Sequence, residues 1–456
     1  MSYFTEIHRA AQSNTERNLI KTFTVKLPSS IWQSMIQLNR KHLFIFLIFI
    51  ISAGLSINSI AQESLYYNYY PTDINKTEWK LGGHLFYQNH NNSDQLTNEF
   101  AEALNNSEYL SHDFKMKQLA ELNGSSYLNR LSKGAVGFWL RKEKLSWYIG
   151  MDFQQVLDGR IDEDLTKLML MGNAPYAGQT LDFEMTDYMN VYFNRLKLGL
   201  SKTIDKKDAQ HTITGLLAFT VGQNYNYTEL SSGSAFTQED GEYMDLAIAG
   251  ETQMSDTVWA DIFTFAGFGA SLDIDYSFLK KDNFYISLGV KNLGFVNWNK
   301  APFQAAADTS ILFSGIDEQG ENDIPNDFSE SSLRKLIFKD VDGSSFSGIL
   351  PFNFHLSAGK FFAQTKFYVG VNTFFYPSLH YNYRAELFVT WNIKDAVRLS
   401  PLLAYNSFNT FNFGLAAETT LWKKWSIRAG SSYLNTAFDK ESPLGQGFFL
   451  SLVFRK

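Results

Sequence analysis

The chain has 456 residues, no cysteine, 19% charged residues and 16% aromatics, with Phe 40, Tyr 23 and Trp 9. The lack of cysteine excludes disulfides, thiolate catalysis and Cys-ligated zinc or iron–sulfur sites, while 45% hydrophobic content fits neither a disordered chain nor a helical membrane protein. Net charge is −7 overall and −11 beyond residue 61 (34 Lys+Arg against 45 Asp+Glu), which argues against nucleic acid as a partner.

The first feature in chain order is the apolar run Leu43–Ile51, extended through Leu55 and preceded by Arg40-Lys41-His42. Ser59-Ile60-Ala61 follows, with small residues at −3 and −1 of a cut between Ala61 and Gln62. A basic flank, a short apolar stretch and a small-residue cut site predict a secretory signal peptide over 35–61. An inner-membrane anchor needs about twenty apolar residues, and Ser56, Asn58 and Ser59 interrupt the run too early. Residues 1–34 read as a start-site extension ahead of Met35, which leaves 62–456 as the folded domain.

Beyond the signal, period-2 alternation recurs for about three hundred residues. Phe268, Ala270, Leu272, Ile274, Tyr276 and Phe278 share one face of a strand, and Gly269, Ser271, Asp273, Asp275 and Ser277 the other. Similar strands follow at 284–291, 367–375, 384–393, 411–418, 425–433 and 448–454. Strand length, aromatic strand ends and an export signal favour an all-β, closed antiparallel transmembrane barrel over a soluble sandwich. Short links at 142–144, 201–210, 279–283, 361–365, 394–396 and 420–424 alternate strictly with longer ones at 159–182, 222–264, 299–352, 376–382, 406–409 and 435–446. Adding Trp79–Gln88 and Gly134–Arg141 gives about fourteen strands, with short periplasmic turns, long extracellular loops and both termini periplasmic. Such a barrel sits in the outer membrane, with the lipid bilayer as its first partner. Residues 299–352 show no clear structure of their own and, with 222–264, are the expected binding surface.

The segments Phe138–Gly150, Asp164–Asn173, Asp273–Ser277 and Lys291–Trp298 resemble an uncharacterised family of long outer-membrane barrels found beside the type IX secretion system, similar to the FadL and PorV group. The resemblance implies about fourteen strands and no catalytic residue. The alternating C-terminal stretch Phe448–Phe454 resembles the signal read by the barrel-insertion machinery, a second partner.

Charged residues on the inward face are the candidate site. Asp273 and Asp275 lie about 7 Å apart on one strand. Paired carboxylates can bind Ca²⁺ or act as acid and base, but ionic partnership with inward Arg and Lys is the favoured reading, with Lys291 as candidate partner. Arg384, Glu386, Arg398, Glu418 and Arg428 form a ladder of both signs, which either sets lumen selectivity or holds the wall together. Asp340–Ser344 reads as a polar turn, since Pro351 stands where an EF-hand needs its Glu. No zincin, GxSxG or Walker motif appears, so no cofactor, metal or enzymatic activity is expected. Two functions remain. One is a FadL-like channel for a small apolar solute, with an aromatic interior (Tyr285, Phe374, Phe388, Phe449) and a Gly-rich stretch at Phe265–Ala270 where the wall could open sideways. The other is a plugged scaffold that anchors a secreted or surface protein beside the type IX machinery.

Overall fold

The computed structural model describes residues 81–455 apart from 107–108, 184–185, 242, 256–264, 281–282, 314–339, 364–365, 394–396, 422–424 and 438. The expected signal peptide, its Ala61–Gln62 cleavage site and the 1–34 extension lie outside the described residues.

Fourteen strands close into a ring. In spatial order they are β1 (Leu81–Thr97), β2 (Ser126–Lys142), β3 (Leu145–Ile161), β5 (Thr186–Lys206), β6 (Ala209–Thr237), β8 (Gly267–Lys280) and β9 (Phe284–Trp298). The ring continues through β13 (Asn353–Phe362), β14 (Phe367–Phe375), β15 (Tyr383–Ile393), β16 (Val397–Asn406), β17 (Phe411–Leu421), β18 (Trp425–Ser431) and β19 (Pro443–Arg455). Every pairing is antiparallel, and β19 returns to β1 from Gly82↔Arg455 to Asn92↔Gly445. Closure pairs the long apolar C-terminal strand and removes the open edge.

The ring is greasy outside. Trp147, Ile149, Met151 and Phe153 of β3, Leu196, Leu198 and Leu200 of β5, and Leu387, Val389 and Trp391 of β15 all point outward and are exposed. Their alternate neighbours are buried inside. Aromatic contacts rim this belt at both ends: Tyr383–Tyr405 and Tyr405–Phe411 at one, Phe367–Trp391 and Trp425–Phe454 at the other. Tyr383 and Trp391 mark the two rims on one strand, about 27 Å apart along it and about 20 Å along the membrane normal at a 40° tilt. An apolar belt with aromatic girdles on a closed barrel is the architecture of an outer-membrane protein, because only closure satisfies every backbone group within lipid.

Link parity follows the expected alternation, but two loops differ from the sequence reading. Region 222–264 is not a loop at its start: β6 runs 29 residues without a break to Thr237, short β4 (Thr180–Asp182) pairs with its upper part, and β7 (Met244–Met254) folds back on it. Region 299–352 carries β10 (Phe303–Phe313), which pairs with β7 along its whole length, and short β11 (Asp340–Asp342) and β12 (Phe346–Ile349). The two loops thus form one extracellular sheet above β6. Its acidic run Asp317, Glu318, Glu321, Asp323 and Asp327 lies outside the described residues. Alternation marks only the membrane portion, because above it the outer face meets water instead of lipid and carries polar residues, as Asn224, Asn226 and Thr228 do. For the same reason β1 continues to Thr97 and β2 starts at Ser126 rather than Gly134.

Three helices cap one side of the mouth: α1 (Asn98–Asn106), α2 (His112–Ala120) and α3 (Glu163–Met171). Phe100, Ala103 and Leu110 pack against Leu170 in a small satellite core. Asp162 caps α3 by accepting from Asp164 N at 2.8 Å. The turn expected at Asp340–Ser344 is an Asx turn at Asp342, whose carboxylate accepts from Ser344 N and Oγ at 2.8 and 2.7 Å.

Candidate functional site in the barrel lumen

The expected lateral opening at Phe265–Ala270 is closed. From Gly267 to Leu272, β8 pairs residue by residue with both β6 and β9, and Ala266 N donates to Gly222 O at 2.8 Å. The irregularity lies further along, where Lys291 and Asn292 of β9 together oppose Asp273 of β8. Asn292 adopts a left-handed backbone, φ +63°, and this bulge turns Lys291 and Asn292 both inward.

That bulge completes a buried ionic layer. Asp273 accepts from Asn292 N at 2.8 Å and from Arg195 Nη1 at 2.7 Å. Arg195 donates its other edge to Asp152, from Nη2 at 2.7 Å and from Nε at 2.9 Å. Lys197 Nζ adds a contact to Asp152 at 2.9 Å, and Lys133 stands 3.8 Å from the same carboxylate. Lys291 pairs with Asp275, whose other oxygen lies 3.0 Å from His355 Nε2. Arg195, Lys197 and Asp152 have no exposed surface. Both carboxylates of the Asp273/Asp275 pair are engaged by cations, Asp273 by Arg195 and Asp275 by Lys291. Among the described residues, no group of three His, Asp or Glu side chains is placed to hold a metal ion.

The C-terminal ladder divides in two. Arg384 pairs with Glu386 on its own strand, donates to Ser432 Oγ at 2.5 Å, and contacts His90 Nδ1 at 3.1 Å with its guanidinium over the Tyr433 ring. Nearer the periplasmic end, Glu418 bridges Arg398 at 3.0 Å and Arg428 at 2.6 Å, beside a small cavity that Thr390 and Ser400 also line. Each cluster joins opposite charges inside the low-dielectric lumen, which repays part of their desolvation.

Alongside the ionic clusters runs an apolar column. A single contiguous cluster links Tyr376, Leu379, Tyr381 and Phe408 at the extracellular mouth with Phe449, Phe388 and Phe86, and reaches Tyr368, Phe361 and Tyr285 at the periplasmic end. Phe374, Phe388, Tyr285 and Phe449 all face inward and are buried. The sequence reading missed Asp152, Arg195 and Lys197, although their signal was present. Arg195 and Lys197 alternate with the lipid-facing Leu196 and Leu198, and Asp152 sits between Met151 and Phe153. It also missed the mouth residues, which no alternation marks.

A family profile matches residues 47–424, well over half the chain. The chain belongs to DUF5723, a family of unknown function. No curated protein is significantly similar in sequence to this DUF5723 chain. Among solved structures, the Pseudomonas putida toluene transporter TodX shares 8% identity with a TM-score of 0.41, over 88% of this chain and 95% of that one. A TodX deltaS2S3 mutant, described as a monoaromatic hydrocarbon channel, shares 7% with a TM-score of 0.43, over 88% and 96%. The translocator domain of the autotransporter NalP from Neisseria meningitidis shares 10% with a TM-score of 0.30, over 84% and 91%.

Proposed function

We propose that this barrel passes a small apolar solute across the outer membrane along the aromatic column. One observation carries the reading: barrel interiors are ordinarily polar, yet here an unbroken apolar cluster runs from mouth to periplasmic end. Side chains of Phe, Tyr and Leu offer an apolar guest contacts without the desolvation cost of a charged wall. The ion pairs alongside are neutralised in place and hold the staves in register. The reading involves no enzymatic step. Sidedness follows from the loops, with entry at the long-loop face.

A second reading, a scaffold for a secreted or surface protein, is favoured by the extracellular sheet of β6, β7 and β10. Gentle extraction of the native protein followed by intact-complex mass spectrometry separates the two. The channel predicts a lone barrel carrying lipid or a small apolar molecule. A stoichiometric protein partner counts against it and supports the scaffold.

A further inference from the structure

The segment 376–382 joins β14 to β15, and its contacts lie on the far side of the ring. His380 N donates to Asp158 Oδ2 at 2.6 Å and Tyr381 N to Asp158 Oδ1 at 3.3 Å. The His380 imidazole meets Asp187 through Nε2. Asp158 belongs to β3, six staves from β14 and seven from β15 in a ring of fourteen, and Asp187 to β5, five and six staves away. The segment therefore folds inward over the mouth, and its tip meets side chains of the facing wall.

The crossing is built as a flap. Tyr376 N donates to Asn382 O at 2.6 Å and pinches its base, which leaves one compact turn to swing on β14 and β15. Its underside is apolar: Leu379 and Tyr381 are buried in the aromatic column, with Tyr381 edge-on to Phe408 at 5.3 Å. Its far tip is polar. Asn129 Nδ2 steadies Asp158 at 2.8 Å, and Arg160 Nη2 holds Asp187 at 2.8 Å. Ser407 Oγ donates to His380 O at 3.3 Å, and the Tyr127 ring stands edge-on to the imidazole at 5.4 Å.

We propose that residues 376–382 are a hinged lid on the aromatic column, latched across the mouth by Asp158 and Asp187. The grip on the facing wall consists of three polar contacts, two to buried Asp158 and one to half-buried Asp187, with the weaker Ser407 hydrogen bond on the lid's own side of the ring. Losing those contacts frees the tip while the fourteen-strand ladder stays intact. The lid bears on solute passage only through the channel reading, but its test reads loop position, so the two ideas fail separately.

Because the chain has no cysteine, single thiols can be placed without background. Three report: Leu379→Cys under the lid, Ala404→Cys in the column beneath it, and Ser277→Cys, buried near the periplasmic end. Each is made in the natural background and with Asp158→Ala plus Asp187→Ala, in nanodiscs, and labelled with a charged maleimide. Heat-modifiable gel mobility first establishes that every variant is a folded barrel. The lid predicts at least tenfold faster labelling at 379 and 404 in the latch variant, with 277 unchanged. Equal rates with and without the latch overturn the proposal. So does a parallel rise at 277, which would mean general loosening, and a rise at 379 alone, which would mean a mobile loop that gates nothing.

Discussion

Arg195 of β5 donates to Asp273 of β8 at 2.7 Å, reaching past β6, the stave that separates their strands. The reach is open because β6 presents small side chains there: Ala218 stands between Lys197 and Ser271 in the ladder, and Thr220 lies opposite Arg195. With Asp152 on its other edge, Arg195 ties β3, β5 and β8 together from inside the barrel.

Removing one partner of so buried a pair leaves a charge without compensation. Asp273→Ala is expected to cost about 3–5 kcal/mol, and Asp275→Ala to disturb Lys291 and His355 similarly. Urea unfolding of the refolded barrel, followed by heat-modifiable mobility, measures this. A double-mutant cycle of Asp273→Ala with Arg195→Ala should show coupling above about 1 kcal/mol. Additive costs would mean that the two side chains act independently.

Ala218 itself makes a second test. Ala218→Phe adds bulk beneath the Arg195 bridge, and overpacking of this kind costs about 1–3 kcal/mol. The same exchange at outward-facing Leu217 (65% exposed) should leave stability almost unchanged, since its ring enters lipid. Comparable losses at both positions would contradict the inward–outward assignment.

The closed wall at 265–270 predicts an intolerant glycine. A Cβ on Gly269 would lie 1.8 Å from Phe295 O, a backbone atom that cannot move without shifting the β8–β9 ladder. Gly269→Ala is therefore expected to lower refolding yield and to speed amide exchange along 267–272. Unchanged exchange would show that the wall is loose enough there to part.

The latch carries a pH sign. The hydrogen bond that the imidazole donates to Asp187 raises the His380 pKa above its ordinary value, with further help from the charges of Asp158 and Asp187, against the opposing effects of burial and Arg160. A raised pKa means that the charged contact is complete below about pH 6.5 and is lost as pH rises through the docked value. Labelling of Leu379→Cys, taken as a ratio to a thiol at exposed Tyr109, should increase from pH 6 to pH 8.5. His380→Gln should flatten that ratio. An increase that persists without the imidazole would assign the pH response to another group.

Much of the barrel was legible because lipid imposes a strict rule. A strand that faces hydrocarbon on one side must alternate, so Phe268–Phe278 and the C-terminal strands declared their faces, and link lengths declared their sidedness. Above the membrane that rule lapses, and the extension of β6 and its pairing with β7 and β10 left no periodic trace. The lumen charges at Asp273, Asp275 and Lys291 were readable by parity, but their principal cation, Arg195, belongs to a strand three staves from Lys291, and no local pattern joins them. The Asp158–His380 contact is wholly tertiary: it depends on how far a seven-residue turn reaches across a closed ring.

The most direct test of the channel is uptake of N-phenyl-1-naphthylamine, an apolar dye that fluoresces on leaving water, by intact cells whose lipopolysaccharide leaflet otherwise excludes it. Cells making this barrel should take up the dye faster than cells without it. Ala416→Phe, which fills the column from a small wall position, should abolish the gain while the barrel remains folded. Uptake no faster than in barrel-free cells, or a gain that survives Ala416→Phe, would contradict the claim that the aromatic column is the path.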